Sequence, residues 1–425
     1  MRIVWLLNSI LPQIAAARGM ASDNPHGWTV MLADHLSALK DIELTVFYPQ
    51  NQSRENLTGR AGNMSYVGFY ENAIPELFYD SSMEENFRNL INKCDPDIVH
   101  IWGSEYVHTL CMLRAFGHPE KTVISIQGLI RFCGEKYTEG LPDSIINGHT
   151  IRDLLRHDSI YEQKQKFLKR GEYELTALEE SKNVIGRTKW DEMTVRSVNP
   201  KLEYFHCGEI LRREFYDGDR WSPDNCEKHS IFISQSSYPI KGIHFALQTL
   251  RLLAESYPDV RLYVAGKPVF PRSLRDHLKR DSYSKYICSL IKEYGLTDRV
   301  VFTGRLDAKK MKERYLHSNV YLQASIMENS PNSLGEAMIL GMPCVASNVG
   351  GTASMLRDGV DGYLYPFDKP EEAARYIGRV YNGEEELEAM CGSAAEYAGL
   401  LYDSERAYGE YMKVYEKLNT TGSNE

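Results

Sequence analysis

Two glutamates, with seven residues between them, end the run Glu328-Asn-Ser-Pro-Asn-Ser-Leu-Gly-Glu336. Ser330, Pro331, Asn332 and Ser333 read as a turn followed by a helix N-cap. Leu334, Ala337 and Met338 then recur at helical spacing. The pattern predicts a helix from Asn332 or Ser333 onward, with Glu328 on the loop before it and Glu336 about one turn inside. A helix start offers backbone N–H groups and partial positive charge to an anion such as phosphate. A carboxylate on either side can accept hydroxyls from two parts of the same ligand. A sugar nucleotide has that layout: sugar hydroxyls, pyrophosphate, ribose hydroxyls.

The elements that must position these groups follow from periodicity. Arg2–Asn8 reads as a strand, Trp28–Lys40 as a helix with Trp28, Met31, Leu32, Leu36 and Leu39 in one stripe, and Ile42–Tyr48 as the next strand. The layout returns later in the chain. Ser230–Ser234 is a strand, Gly242–Tyr257 a helix striped by Ile243, Ala246, Leu247, Leu250, Leu253 and Ala254, and Val260–Ala265 a strand. Such alternation argues for parallel sheets. The fold class is α/β, with two doubly wound domains and a cleft between them, and ligands expected beyond the C-terminal strand ends. Asp217-Gly-Asp219 and Trp221-Ser-Pro-Asp-Asn225 break the periodicity, which places the boundary near Arg213–Lys228. The domains expected are 1–213 and 214–403, followed by a C-terminal segment, 404–425.

Three further groups fall at predicted strand ends. Lys241 follows the Ser230–Ser234 strand and a turn containing Pro239, and precedes Gly242 at the helix start. An ammonium held there neutralises charge on a departing diphosphate, which is binding specific to the transition state. Glu105 and His108 lie just past the strand that holds Ile98-Val-His100-Ile-Trp102, where they can orient an acceptor hydroxyl; His100, inside the strand, reads as a satisfied core histidine. Arg152–Arg170 carries six cations among Leu154, Leu155, Phe167 and Leu168. It reads either as a solvated helix face or as a basic amphipathic patch near anionic lipid.

Composition narrows the classes. With 425 residues, 43% hydrophobic and 25% charged, the chain has ample core for two or three domains. A formal net charge of −9 argues against a general nucleic-acid binder. The eight cysteines show no Cys-x-x-Cys pair and no zinc spacing, which suits a reducing cytoplasm. Asn8, Ser9, Pro12 and Gln13 interrupt the first apolar run, so it reads as a buried strand and not a signal peptide. No apolar run approaches the length of a membrane span.

The Glu328–Glu336 run resembles the Glu-x7-Glu motif of retaining glycosyltransferases of family 4. Gly341-Met-Pro343-Cys-Val-Ala-Ser347, Val349-Gly350-Gly351 and Asp358-Gly359-Val-Asp-Gly362 continue that pattern. The resemblance covers nearly the whole chain and is densest between 230 and 366. It implies the GT-B architecture, two Rossmann-like domains facing a central cleft, with the C-terminal helix at Ser404–Leu418 packed back on the first domain. It also implies roles. Glu328 binds the donor sugar and stabilises positive character at the anomeric carbon, Glu336 binds the ribose, and Lys241 with the amides after Pro331, at Asn332 and Ser333, holds the diphosphate. Lys241-Gly242 resembles the end of a Gly-Arg-x(4)-Lys-Gly signature whose arginine is replaced here by Gln235 or Ser236, a loss for which Arg305 is the candidate compensation. Gly304 resembles the nucleobase-binding loop, and Asn24-Pro-His26-Gly27-Trp28 the glycine-rich loop near the donor phosphate, with Trp28 a candidate for the acceptor. Gln127, in Val123-Ile-Ser-Ile-Gln127-Gly128, stands at the family's histidine position. It cannot titrate but can hydrogen-bond sugar hydroxyls.

The resemblance therefore implies a retaining transferase that uses a UDP- or GDP-linked sugar and a glycan or polyprenyl-diphosphate-linked acceptor; no Asp-x-Asp motif sits on a suitable loop and a helix start plus lysine can replace a metal, so a metal-independent reaction with no cofactor is expected. Several segments look like a branch of bacterial capsule and exopolysaccharide enzymes, which implies a cytoplasmic protein with peripheral contact at the inner membrane surface. Two alternatives stay open: a sugar-nucleotide epimerase or hydrolase on the same architecture, and a non-catalytic subunit that binds glycan or a partner enzyme.

Overall fold

The computed structural model describes residues 1–20, 27–71, 78–271, 273, 276, 278–383 and 386–421, with the side chains of Trp28 and Thr421 outside that description. Two compact units divide the chain. The first comprises Met1–Phe132, Lys166–Ile210 and Tyr402–Glu425; the second comprises Cys133–Gln165 and Leu211–Leu401.

The first unit is built on β1 (Arg2–Leu6), β2 (Glu43–Gln50), β3 (Leu57–Ala61), β4 (Met64–Tyr70), β5 (Ile98–Trp102), β6 (Thr122–Ser125), β7 (Asn183–Gly186) and β8 (Glu203–His206). Their order in the sheet is β3-β4-β2-β1-β5-β6-β7-β8. The pairs are parallel except the β3–β4 hairpin. β5 is buried at every residue and β1 at all but the first, as expected of parallel strands covered on both faces. The order reverses at β1, which lies between β2 and β5. A ligand crevice is expected at such a switch point. The Ser404–Thr421 helix belongs to this unit, where the Tyr415 hydroxyl accepts from Trp5 Nε1 at 3.1 Å and meets His100 Nδ1 at 2.6 Å.

The second unit carries β9 (Glu227–Ile233), β10 (Arg261–Ala265), β11 (Val300–Gly304), β12 (Ser318–Gln323), β13 (Cys344–Ser347) and β14 (Tyr363–Tyr365). They form a fully parallel sheet in the order β11-β10-β9-β12-β13-β14. Here the switch point lies between β9 and β12. The chain is thus mixed α/β with two Rossmann-like parallel sheets.

Two expectations need correction. The boundary at 213/214 misses an excursion, because Cys133–Gln165 belongs with the second unit. Long-range polar contacts hold it there. Buried Asp153 accepts the Ser282 amide at 3.0 Å and the Ser282 hydroxyl, and His244 Nε2 meets the Glu139 carbonyl at 3.2 Å. Nor do the cations of Arg152–Arg170 share one face. The segment is two helices, Ile151–Arg156 and Ile160–Glu180, interrupted at His157, whose φ is +49°. Arg152 pairs with Asp153 and Asp158, and Arg170 is buried over the rings of Tyr106 and Phe167.

Candidate active site

The switch point of the second sheet gathers the loops after β9 and β12. After β9 the chain runs through Ser234–Tyr238 into a single 3-10 turn, Pro239–Lys241, and reverses at Gly242. Gly242 has φ +66°, and a β-carbon there would enter the Ala324 carbonyl oxygen, so only glycine lets the two loops close. That approach brings Lys241 to Glu328: Nζ donates to Oε1 at 2.6 Å, and the Ser325 hydroxyl donates to the same oxygen at 2.7 Å. Burial pulls the Lys241 ammonium down, but the neighbouring Glu328 charge outweighs it and the pKa ends above the ordinary lysine value. The backbone of Glu328 is also held, its carbonyl accepting from Gly351 N at 3.0 Å. A β-carbon on Gly350, at φ +51°, would overlap that carbonyl. The glycine pair after β13 is therefore needed for the position of Glu328.

The helix predicted after Pro331 spans Asn332–Ile339, with Pro331 at the N-cap and no side-chain cap. Ser333 does not cap it: its hydroxyl accepts from Tyr321 and its carbonyl from Tyr315, both at 2.9 Å. The first amides thus face outward from an uncapped, partly positive helix end. Glu336, one turn in, is 4% exposed. Its carboxylate is gripped by Arg212, Nε to Oε1 at 2.7 Å and Nη2 to Oε2 at 2.8 Å, with the Tyr315 hydroxyl 3.4 Å from Oε2. Burial pushes the Glu336 carboxyl up from its ordinary value, and Arg212 opposes that. Arg212 went unread in the sequence because it sits in the boundary run Leu211-Arg-Arg213. Two adjacent arginines at a domain boundary were the available signal. Arg305, the candidate compensation for the missing diphosphate-binding arginine, is exposed beyond β11, two strands away from β9. Gly304 closes β11 at φ +79°, and its carbonyl accepts from Gly266 N at 3.0 Å. Ser236 is half-buried beside Gly266.

In the first unit, the C-terminal ends of β1, β5 and β6 surround a small cleft that opens to solvent, lined by Leu7, Asn8, Ser9, Thr29, Trp102, Glu105 and Gln127. Glu105 and Gln127 were expected at such a site; Asn8, Ser9 and Trp102 were missed, although each stands at or just past a strand end. His108 does not line the cleft. It is 1% exposed, with Nδ1 2.9 Å from Glu71 Oε1 and Nε2 2.9 Å from Asn8 Oδ1. Asn8 in turn supports the Glu105 carboxylate through its amide, so His108 positions the cleft from behind. Burial raises the Glu105 carboxyl above its ordinary value, against the opposing pull of Arg170, His108 and Asn8. Behind it, Glu174 accepts from the Ser104 hydroxyl and the Arg131 amide at 2.7 and 2.9 Å, and burial pushes its carboxyl up to about 7. His100 is a satisfied core residue, bonded to Tyr415 and Ser125, and burial lowers it to about 3. Gly27 opens the Gly27–Ala38 helix. Asn24, Pro25, His26 and the side chain of Trp28 lie outside the described residues. Arg187 is spent within the first unit in a buried ion pair with Glu209.

Comparison with known proteins places these sites in context. Residues 219–397 match the family described as glycosyl transferases group 1. A D-inositol 3-phosphate glycosyltransferase of Streptomyces griseus is 28% identical over 160 residues, 38% of this chain and 33% of that one. Two relatives from Bacillus subtilis match over 46% and 49% of their length, so the chain spans about half or less of these curated relatives. Among solved structures, a sucrose-phosphate synthase from Thermosynechococcus elongatus superposes with a TM-score of 0.72 at 17% identity, covering 99% of this chain and 100% of that one. Anabaena HepE in complex with UDP-glucose superposes with a TM-score of 0.63 at 15% identity, covering 100% of both chains. Residues 219–397 are therefore similar to the glycosyl transferases group 1 family, within a chain of GT-B fold.

Proposed function

We propose that this protein is a retaining glycosyltransferase that moves a sugar from a UDP- or GDP-linked donor to a hydroxyl of a glycan or polyprenyl-diphosphate-linked acceptor, in cell-surface polysaccharide synthesis. The observation that carries the proposal is the second unit's switch point, where the Lys241–Glu328 pair, an uncapped helix start and the buried Glu336 meet on neighbouring loops. A lysine ammonium has three donors; one is spent on Glu328 and the side chain also hydrogen-bonds Tyr238, so one remains for a diphosphate oxygen. Both recorded bonds to Glu328 fall on Oε1, which leaves Oε2 for the donor sugar and for positive character at its anomeric carbon. Arg212 occupies one lone pair on each Glu336 oxygen, and a carboxylate has about four lone-pair sites, so ribose hydroxyls can still be accepted.

In the reaction the bond from the anomeric carbon to the diphosphate breaks, and its electrons leave with the nucleoside diphosphate. The acceptor oxygen forms the new bond on the same face, and its proton passes to the departing phosphate. Lys241 and the helix start stabilise the developing charge, a task for which this chain needs no metal. The fold neighbour that binds UDP-glucose supports the nucleotide part of the reading. The eight free cysteines support a reducing, cytoplasmic setting. The exposed Ile151, Leu154 and Leu155 support a peripheral membrane contact, an idea that co-sedimentation indifferent to anionic vesicles would remove.

The test is isothermal titration of the chain and of Glu336→Gln with UDP, GDP and their sugar conjugates, followed by product analysis with acceptor glycosides. Binding of one nucleotide, weakened by about 1–3 kcal/mol in the variant, is the expected result. Absence of binding by every nucleotide refutes the proposal.

A further inference from the structure

Lys241 has a second polar neighbour besides Glu328. Tyr238 precedes it by three residues, and in a 3-10 turn side chains at i and i+3 eclipse. Tyr238 is extended, at φ −155° and ψ 163°, and its carbonyl accepts from Lys241 N at 3.0 Å. The turn between them is pinned on both sides. Ile240 is 2% exposed and its carbonyl accepts from Ile326 N at 2.8 Å, while Gly242 closes against the Ala324 carbonyl. The Tyr238 side chain is half-buried and hydrogen-bonds the Lys241 ammonium. Nζ lies 5.8 Å from the ring centre, at the outer edge of cation–π reach, about 6 Å. The hydroxyl, not the ring face, therefore makes the contact.

Burial pushes the Tyr238 hydroxyl up, against the pull of Lys241, so it stays a neutral phenol beside the ammonium. An ammonium bonded to one oxygen still spins about its Cε–Nζ bond. Bonded to two fixed oxygens it does not, and the direction of its third N–H is set. A donor set in advance costs no reorganisation when charge develops. The turn depends on that one donor. Between Ser234 and Gly242, Lys241 is the single lysine or arginine, and Arg305 stands two strands from β9. The side chains of Lys241 and Glu328 keep 16% and 13% of their surface exposed, so a ligand reaches them. In the transferase reading Glu328 faces the anomeric carbon. The phosphate bonded to that carbon is then the one that Lys241 meets.

Resting on the transferase reading above, we propose that Tyr238 is a positioning residue for the donor diphosphate: its hydroxyl and the Glu328 carboxylate together lock the Lys241 ammonium, so that the remaining N–H is preset for the sugar-bearing phosphate. Tyr238 acts only through Lys241. Its loss should therefore be felt by a ligand that carries that second phosphate and not by one that lacks it.

The experiment is calorimetric titration of the full chain with UDP, UMP, GDP and GMP, repeated on Tyr238→Phe, Lys241→Met and the double variant. Tyr238→Phe keeps the ring and removes the hydroxyl alone. The parent should bind the diphosphate of its base more tightly than the monophosphate. In Tyr238→Phe that preference should shrink by about threefold to tenfold, the cost of freeing one side chain, while the monophosphate loses at most about twofold. In the Lys241→Met background, Tyr238→Phe should change neither affinity by more than about twofold, because the two residues act as one unit. A structural role for Tyr238 would instead weaken both ligands equally and persist without the lysine. Equal losses for monophosphate and diphosphate, a preference unchanged in Tyr238→Phe, an undiminished effect in the Lys241→Met background, or a parent that does not distinguish the two ligands each overturns the proposal. The two readings separate in the same data. Diphosphate binding with a preference that Tyr238→Phe leaves intact removes this inference alone, and absence of binding by every nucleotide removes the transferase reading with it.

Discussion

Replacing Arg212 by alanine should destabilise the protein by about 3 kcal/mol, and the deficit should grow with pH. Truncation strands a carboxylate that is 4% exposed and had two charge-assisted bonds at 2.7 and 2.8 Å. Removing one partner of a buried pair costs about 3–5 kcal/mol. Arg212 keeps 23% of its side chain exposed, so water reaches the vacated space and the lower end applies. At about 2–4 °C per kcal/mol for a unit of this size, the melting temperature falls by roughly 6–12 °C. Burial already holds the folded Glu336 carboxyl above its ordinary value, and loss of the guanidinium raises it further. A folded state that keeps a proton which the unfolded chain has released loses stability as pH rises. The deficit is therefore smallest near the ordinary carboxylate range and complete once pH exceeds the raised value. Denaturant unfolding at about pH 5 and about pH 8 reads this directly. In the double variant Arg212→Ala/Glu336→Gln the buried charge is gone, so the loss should fall well below the sum of the singles. A deficit under about 1 kcal/mol, equal deficits at both pH values, or additive singles would refute the reasoning.

Other expectations follow from the same geometry. Lys241→Met should lower kcat by about 10²–10³-fold and weaken nucleoside diphosphate binding, since it removes the donor left over from Glu328 and Tyr238; steady-state kinetics and titration check this, and a fall under about tenfold contradicts it. Gly242→Ala should cost more than about 2 kcal/mol in urea unfolding and abolish nucleotide binding, because it combines a left-handed φ with a collision at the Ala324 carbonyl. Glu174, raised to about 7 by burial, keeps a proton in the folded state between the ordinary carboxylate value and neutrality. Stability should therefore decline as pH rises through that window and level off above it, and Glu174→Gln should remove a slope worth on the order of a few kcal/mol. Unchanged slopes in the variant would count against the assignment.

Much of the second unit's candidate site was legible in the sequence because its logic is local. Turn residues, helical spacing and a glycine fix the loop carrying Glu328, the helix start at Asn332 and the Lys241-Gly242 turn within a few residues each. The Arg152–Arg170 segment shows the limit. Its cations look like one basic face when counted along the chain, but a left-handed residue at His157 splits the helix, and Asp153 turns inward to reach Ser282. Ser333, a cap by residue type, went instead to Tyr321.

By itself the sequence determined the alternation of strands and helices, hence two parallel sheets, and the residue types at the ends of their strands. Partner choice was decided only in three dimensions. Lys241 meets Glu328 across 87 residues and Arg212 meets Glu336 across 124. The Trp102–Glu105 cleft exists because β1, β5 and β6 stand side by side in an order that no local period encodes. Periodicity reports which face of an element is buried. Which elements become neighbours depends on how whole sheets pack, and a site made from several strand ends appears only after that packing is complete.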